Sequence, residues 1–169
     1  LRRMGRRYSA AEFAALADAA RAAIPDLAIT TDVIVGFPGE TESHFRRSLA
    51  FVRAMGFARV HVFPYSWRPG TPAATLPDQV PSQVKAEWSR AMRSVSKAGE
   101  ESFGQQFLGR SVDVLWESSR YEKSGRVWTG LTGNYLRVWA PSEHDLSNRI
   151  HPARLVGLRL GGVVGQVIP

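Results

Sequence analysis

The stretch Thr31-Asp-Val-Ile-Val-Gly-Phe-Pro-Gly-Glu-Thr41 sets a carboxylate (Asp32) before a β-branched run, then Gly36, Phe37, Pro38 and Gly39, then Glu40 at a helix start. Glycines at the carboxyl end of a strand let backbone approach a bound molecule closely. Glu40 could accept hydrogen bonds from a ligand's hydroxyls or amines, and Asp32 suits orienting its neighbours better than acid–base work. A tight βα turn would use the same residues, with Glu40 serving only the positive end of the helix. A second stretch, His61 to Ala74, puts Tyr65, Ser66 and Arg68 on a loop. They offer an aromatic to stack on a base, a hydroxyl, and a guanidinium for phosphate. The alternative is a proline-stiffened connection whose aromatics cover the end of the sheet.

Two basic stretches join these. Arg2, Arg3, Arg6 and Arg7 with Tyr8 could contact phosphates, or form a solvated loop ahead of a helix. Arg126, Trp128, Asn134, Tyr135, Arg137 and Trp139 interleave basic and aromatic side chains, the composition of surfaces where bases stack and phosphates pair. Along a strand, residues 135, 137 and 139 share one face and 134, 136 and 138 the other. Either Tyr135 and Trp139 flank an exposed Arg137, or the aromatics are core and Arg137 lies at a rim.

Composition narrows the chemistry. None of the 169 residues is cysteine, which removes disulfides, thiolate nucleophiles and cysteine-ligated iron–sulfur clusters from this chain. His44, His61, His144 and His151 are scattered without metal-ligand spacing, so no metal site is expected. Neither a Gly-x-Ser-x-Gly nor a P-loop pattern occurs. The net charge of +7 favours polyanionic partners, although an arginine-rich proteome would also produce it. With no membrane-length apolar run and no signal peptide, a cytoplasmic location is expected.

Several elements must position these residues. Ser9 and Glu12 form a capping box ahead of a helix with Phe13, Leu16, Ala17, Ala20 and Ile24 on one side, ended by Pro25. Residues 27–35 read as a strand, with Val33, Ile34 and Val35 suited to burial on both faces. A helix from about Thr41 carries Phe45, Leu49, Val52 and Met55 and stops at Gly56, and residues 57–63 form a second strand. This βαβ pattern implies a parallel crossover. A loop fills 64–81, and Ser82 can cap a helix over 83–105 with Val84, Trp88, Met92 and Val95 aligned. After Phe107, short runs at 111–117, 126–130, 134–140, 150–160 and 163–168 read as a small β-barrel.

Three motifs in order, Leu1-Arg-Arg-Met-Gly-Arg-Arg-Tyr8, the segment 31–41 and His61-Val-Phe-Pro-Tyr-Ser-Trp-Arg-Pro-Gly-Thr-Pro-Ala-Ala74, resemble the radical-SAM methylthiotransferases. Gly125-Arg126, Gly130-Leu-Thr-Gly-Asn-Tyr135 and Val138 are similar to that family's TRAM domain. The resemblance implies an α/β plus all-β chain. Residues 1–106 would be the C-terminal part of a radical-SAM (βα) partial barrel, and 107–169 a small OB-like TRAM β-barrel that binds RNA. It implies S-adenosylmethionine at Asp32, Gly36, Phe37, Pro38, Gly39 and Glu40. Substrate RNA would meet Arg6, Arg7, Tyr65, Ser66, Arg68, Arg126, Asn134, Tyr135 and Arg137. It also implies two [4Fe-4S] clusters whose ligands lie outside this cysteine-free chain, so the chain is expected to be a C-terminal fragment, inactive alone.

In the parent enzyme, a radical made from S-adenosylmethionine would take the hydrogen from carbon 2 of an adenosine beside the tRNA anticodon, and a methylthio group would replace it. A cellular electron donor and a sulfur source are implied, with the tRNA anticodon stem-loop as partner and no membrane. Leu-Arg-Arg-Met-x-Arg-Arg-Tyr at residues 1–8, Thr30-Thr31 before Asp32 and His61-Val-Phe-Pro-Tyr-Ser most resemble the branch acting on N6-threonylcarbamoyladenosine, and the isopentenyladenosine branch is the runner-up. Arg68 and the basic charge disfavour the ribosomal-protein branch. A non-catalytic RNA-binding module is the alternative of a different class.

Overall fold

The computed structural model describes residues 1–123 and 125–168. In chain order it runs α1 (Ala10–Ala23), β1 (Thr30–Val35), α2 (Glu42–Met55), β2 (Arg59–Pro64), a short 3-10 turn at Pro72–Thr75 and α3 (Ser82–Gln105). Five strands follow: β3 (Ser111–Glu122), β4 (Gly125–Thr132), β5 (Arg137–Pro141), β6 (Arg149–Arg159) and β7 (Gly162–Val167). The chain divides into two compact units, Leu1–Gly99 and Glu100 onward. The division falls inside α3, ahead of the change of pattern after residue 106. Phe103 and Phe107 explain this: both pack with the core of the β unit.

In the first unit, local sequence sets the helix ends. Ser9 caps α1 in a capping box with Glu12, whose carboxylate accepts from the Ser9 backbone N–H at 2.7 Å. Thr41 caps α2 and pairs with His44 in the same reciprocal manner. Gly56 ends α2 in the left-handed conformation. Ser82, in contrast, is the first residue of α3 rather than its cap. Strands β1 and β2 pair in parallel, Thr30 opposite Arg59 through Val35 opposite Pro64, as the crossover requires.

One face of this two-stranded sheet, with Val33, Val35, Val60 and Val62, packs on Ala17, Phe45, Val52, Met55, Trp88, Met92 and Val95 of the three helices. Phe45 stacks on Trp88 with ring centroids 4.7 Å apart, and Trp88 donates to Glu42 at 3.0 Å. Ser96 serves β2 twice, accepting from the Val60 N–H and donating to the Val60 carbonyl.

Burial of β1 on both faces is not found: Val35 is 1% exposed but Ile34 is 43% exposed. The β-branched run reports strand propensity, but the helices cover only the face to which Val33 and Val35 point. The other face presents Asp32 and Ile34 beside His61 and Phe63, and all four are exposed.

In the second unit the strands close into a barrel in the order β3-β4-β5-β7-β6, with β6 returning to β3. Every pairing is antiparallel except β5 with β7. Inward positions alternate along the strands, so Val114, Trp116, Trp128, Val138, Ala140, Ala153, Leu155 and Val163 fill the interior with Leu136, Leu146 and Phe107. Strand β5 starts at Arg137, so Asn134 and Tyr135 fall in the turn before it rather than on a strand face. Among the described residues, no helix is long and apolar enough to cross a membrane.

Candidate functional site

The ends of β1 and β2 lie side by side, and the loops leaving them interlock. Tyr65 donates its backbone N–H to the Val35 carbonyl at 2.8 Å, continuing the strand pairing into the loop. Phe37 meets the Tyr65 ring edge-on with centroids 5.6 Å apart. The Tyr65 hydroxyl is enclosed and has no hydrogen-bond partner among the described residues, an unmet bond that a ligand reaching this rim would satisfy.

The glycines of this rim are necessary, but their open sides are filled from within the chain. Gly36 and Gly39 have φ of +75° and +77°. A Cβ on Gly36 would overlap the stem of Lys85, and one on Gly39 would overlap the Arg3 guanidinium. Gly36 and Pro38 are buried, and Asp32 is exposed.

Glu40 turns back into its own turn, where its carboxylate accepts from the Gly36 N–H. Burial pushes the Glu40 carboxyl above its ordinary value, against the lowering effect of the Gly36 and Phe37 N–H groups. A raised pKa in the folded state means that folding favours the protonated acid. Stability from this residue is therefore present at low pH and declines as pH rises past the ordinary carboxylate value and through the raised one. Glu40→Gln is expected to remove that decline. Urea midpoints of both proteins across pH 4 to 8 check it, and parallel profiles would count against a burial-dominated carboxyl.

Sequence reasoning missed Lys85. This residue in the first turn of α3 lays its stem over Gly36 and donates from Nζ to the Tyr65 carbonyl at 3.1 Å. Its ammonium also sits 5.7 Å from the centre of the Tyr65 ring. The sequence held only a weak signal: a lysine in the first turn of a helix opposes the macrodipole. Lys85→Met, which keeps the stem, is expected to cost about 1–2 kcal/mol. It should also speed hydrogen exchange at the Tyr65 amide; unchanged exchange there would refute the cross-link.

The other candidates on this unit make none of these interlocking contacts. Arg6, Arg7, Ser66 and Arg68 are exposed, with the Arg68 carbonyl accepting from the Thr71 hydroxyl at 2.8 Å.

On the barrel, both sequence alternatives for the aromatics prove incomplete. The interior of β5 is Val138 and Ala140, while Arg137 and Trp139 are half-buried on the outer face. Tyr135 is 81% exposed and holds φ of +63°, a costly conformation for a bulky side chain. Its turn is locked by Tyr135 N–H to the Thr132 carbonyl at 2.9 Å and by Leu136 N–H to the Thr132 hydroxyl at 3.0 Å. The Thr132 hydroxyl also bonds the Asn134 side chain.

Trp128 is no stacking surface: it is 1% exposed and donates to the Ser142 carbonyl at 3.2 Å. The Arg126 guanidinium lies 4.4 Å from its ring centre and donates from Nε to the Ser119 hydroxyl. Arg159 sits 4.9 Å from the centre of the Trp139 ring and pairs with Glu122, which also binds Arg120. Arg159, then Arg120, hold the Glu122 carboxyl below its ordinary value.

No family model matches the chain. Over 157 residues it is 35% identical to the threonylcarbamoyladenosine tRNA methylthiotransferase of Bacillus subtilis, covering 92% of this chain and 35% of that protein. It is 39% identical over 174 residues to the tRNA-2-methylthio-N(6)-dimethylallyladenosine synthase of Salinispora arenicola, covering 100% of this chain and 30% of that protein. With the threonylcarbamoyladenosine tRNA methylthiotransferase of Thermotoga maritima it shares 35% identity over 167 residues, 97% of this chain and 37% of that protein. The chain thus spans about a third of the length of the curated relatives it matches.

Proposed function

We infer that this chain, which belongs to the radical-SAM methylthiotransferase family, serves the methylthiolation of an adenosine in tRNA. The single observation that carries this reading is identity of 35–39% across nearly the whole chain to enzymes named for that reaction. The substrate we assign is N6-threonylcarbamoyladenosine beside the anticodon. Thr30-Thr31 and His61-Val-Phe-Pro-Tyr-Ser support it, as does the match to two enzymes named for that nucleoside. The 39% identity to a dimethylallyladenosine enzyme over the full chain favours that nucleoside as the second reading.

The units take different parts. The first supplies one wall of a (βα) barrel. Its uncovered sheet face, with Asp32, Ile34, His61 and Phe63, suits a barrel interior, and we assign S-adenosylmethionine to the rim from Gly36 to Glu40 with Tyr65, where it would have to displace the Lys85 stem and the Arg3 guanidinium from the glycines. The unpartnered Tyr65 hydroxyl is the atom that best fits such a ligand. When bound and reduced, S-adenosylmethionine supplies the radical chemistry that activates the carbon 2 hydrogen. Cluster ligands are a poor fit to this chain, which lacks cysteine and, among its described residues, any acid–histidine cluster able to hold a metal. The [4Fe-4S] clusters, electron donor and sulfur source therefore belong with other parts of the enzyme or the cell, in a cytoplasmic setting.

The second unit grips RNA as an OB-like barrel of TRAM type. Tyr135 and Arg137, with Arg126 and Asn134, supply a base-stacking ring and phosphate contacts. On the first unit Arg6, Arg7, Ser66 and Arg68 offer phosphate and base contacts of their own to the anticodon stem-loop.

Mass spectrometry of tRNA nucleosides from cells lacking the gene tests this. Loss of 2-methylthio-N6-threonylcarbamoyladenosine, with its unthiolated precursor accumulating, is the expected result. Loss of the dimethylallyl counterpart would keep the reaction and move the substrate. An unchanged nucleoside profile would overturn the enzyme reading.

A further inference from the structure

We propose that Trp67, on the loop that follows β2, is a stacking platform for an unpaired nucleobase of the RNA substrate. The inference rests on the tRNA reading above and adds to it a residue with which a base makes contact.

Trp67 is 58% exposed, whereas Trp88, Trp116 and Trp128 are at most 7% exposed and Trp139 is half-buried under Arg159. A large aromatic left in water forgoes the burial that ordinarily decides where tryptophan sits. Trp67 is nevertheless held in place. Its only polar atom, the indole N–H, donates to the Ala74 carbonyl at 3.2 Å across the loop. With that donor committed, what remains to a partner is the ring surface, and a ring surface recognises another flat π system rather than a hydrogen-bond acceptor.

The loop that carries it is stiff without belonging to either strand or helix. Pro64, Pro69, Pro72 and Pro77 fix four φ angles. Hydrogen bonds run from the Thr71 hydroxyl to the Arg68 carbonyl at 2.8 Å and from the Thr75 hydroxyl to the Pro72 carbonyl at 3.0 Å. The Gln79 amide bonds the Ala73 and Leu76 carbonyls at 3.1 and 3.0 Å. A ring already ordered loses little freedom when a base arrives, so its stacking energy is spent on binding.

Charge selects the partner. Arg68 is the exposed neighbour immediately after Trp67, and the one acid of the loop from Tyr65 to Pro81 is Asp78, near its far end. A flat aromatic beside a guanidinium suits a base with its attached phosphate.

The test measures affinity of the full chain for an RNA hairpin with an unpaired purine-rich loop. Each loop nucleotide is then replaced in turn by an abasic one. Trp67→Ala is expected to weaken binding roughly tenfold, and Trp67→Phe, which keeps a stacking ring, much less. At one loop position the abasic RNA should weaken the wild type by a similar factor and leave Trp67→Ala unaffected. The salt dependence of binding should not change in Trp67→Ala, because the indole neutralises no phosphate. In Arg68→Ala its slope should fall by about one.

Both Trp67 variants should keep the wild-type fold, losing no more than the stability of the one indole–Ala74 hydrogen bond. Wild-type affinity in Trp67→Ala, while the wild-type chain binds the hairpin, would overturn the stacking assignment and leave the tRNA reading intact. Unchanged RNA affinity with altered self-association of Trp67→Ala would also overturn it, in favour of a protein contact. No hairpin binding by the wild-type chain would remove the RNA reading and this assignment together.

Discussion

Trp116→Ala is expected to lower the stability of the β-barrel by about 3–5 kcal/mol. That is a large share of the roughly 5–15 kcal/mol available to a domain, so the barrel should be partly unfolded at 37 °C. Trp116 is fully buried among Val114, Trp128, Val138 and Leu155, and its indole N–H donates to the His151 carbonyl at 3.2 Å. Truncation leaves a cavity that closed strands cannot collapse around, and it also strips a donor from that carbonyl.

The position is structural in a second sense. Strand β3 shifts register between Trp116 and Ser118, and the Trp116 carbonyl accepts from the Asn148 N–H at 2.8 Å. Trp116→Phe, which refills most of the volume, should recover part of the loss. Urea unfolding followed by far-UV circular dichroism measures both variants. A loss in Trp116→Ala below about 1 kcal/mol would mean that the interior is not packed as described. The RNA contacts assigned to Tyr135 and Arg137 should disappear with the barrel, which separates this variant from one that removes a contact alone.

Gly36→Ala is expected to cost about 2–4 kcal/mol, from two independent sources. Its φ of +75° is one that an L side chain adopts only under strain, and the new methyl group would meet the Lys85 stem rather than empty space. Removing the stem separates the two. In the Lys85→Ala background the steric part should vanish, so Gly36→Ala should cost only the roughly 1 kcal/mol of backbone strain. Strictly additive losses in this double-mutant cycle would show that Lys85 does not lie over Gly36. For the proposed cofactor rim, the consequence is that the Gly36 backbone and Tyr65 move together, because one lysine bridges both loops.

Much of the architecture was legible in particular residues. Ser9 with Glu12 and Gly56 mark helix ends through short-range hydrogen bonds and a left-handed φ, and such signals survive any tertiary context. The βαβ pattern led to the parallel β1–β2 pair, and five short runs led to five strands. Less was legible where a residue's partner is distant in sequence. Trp128 and Trp139 look alike as aromatic neighbours of arginines, yet one is core and the other carries Arg159 on the outer face. Tyr135 reads as a strand residue until the Thr132 hydroxyl takes the Leu136 N–H and turns the chain.

Composition and local pattern bounded the chemistry of this chain and nominated candidate binding segments. Without cysteine it supplies no cysteine ligand to a cluster, and its glycine–proline turn and arginine–aromatic loops are the segments we propose for ligand and RNA contacts. Folding decided which side of each segment is available. Lys85 and Arg3 arrive from elsewhere in the chain to fill the space over Gly36 and Gly39, Glu40 folds back onto the Gly36 N–H, and the Ala74 carbonyl fixes the Trp67 ring in the open. Periodicity reports only the two sides of one element. The space on either side is allotted by elements far away in the chain, and only packing brings them together.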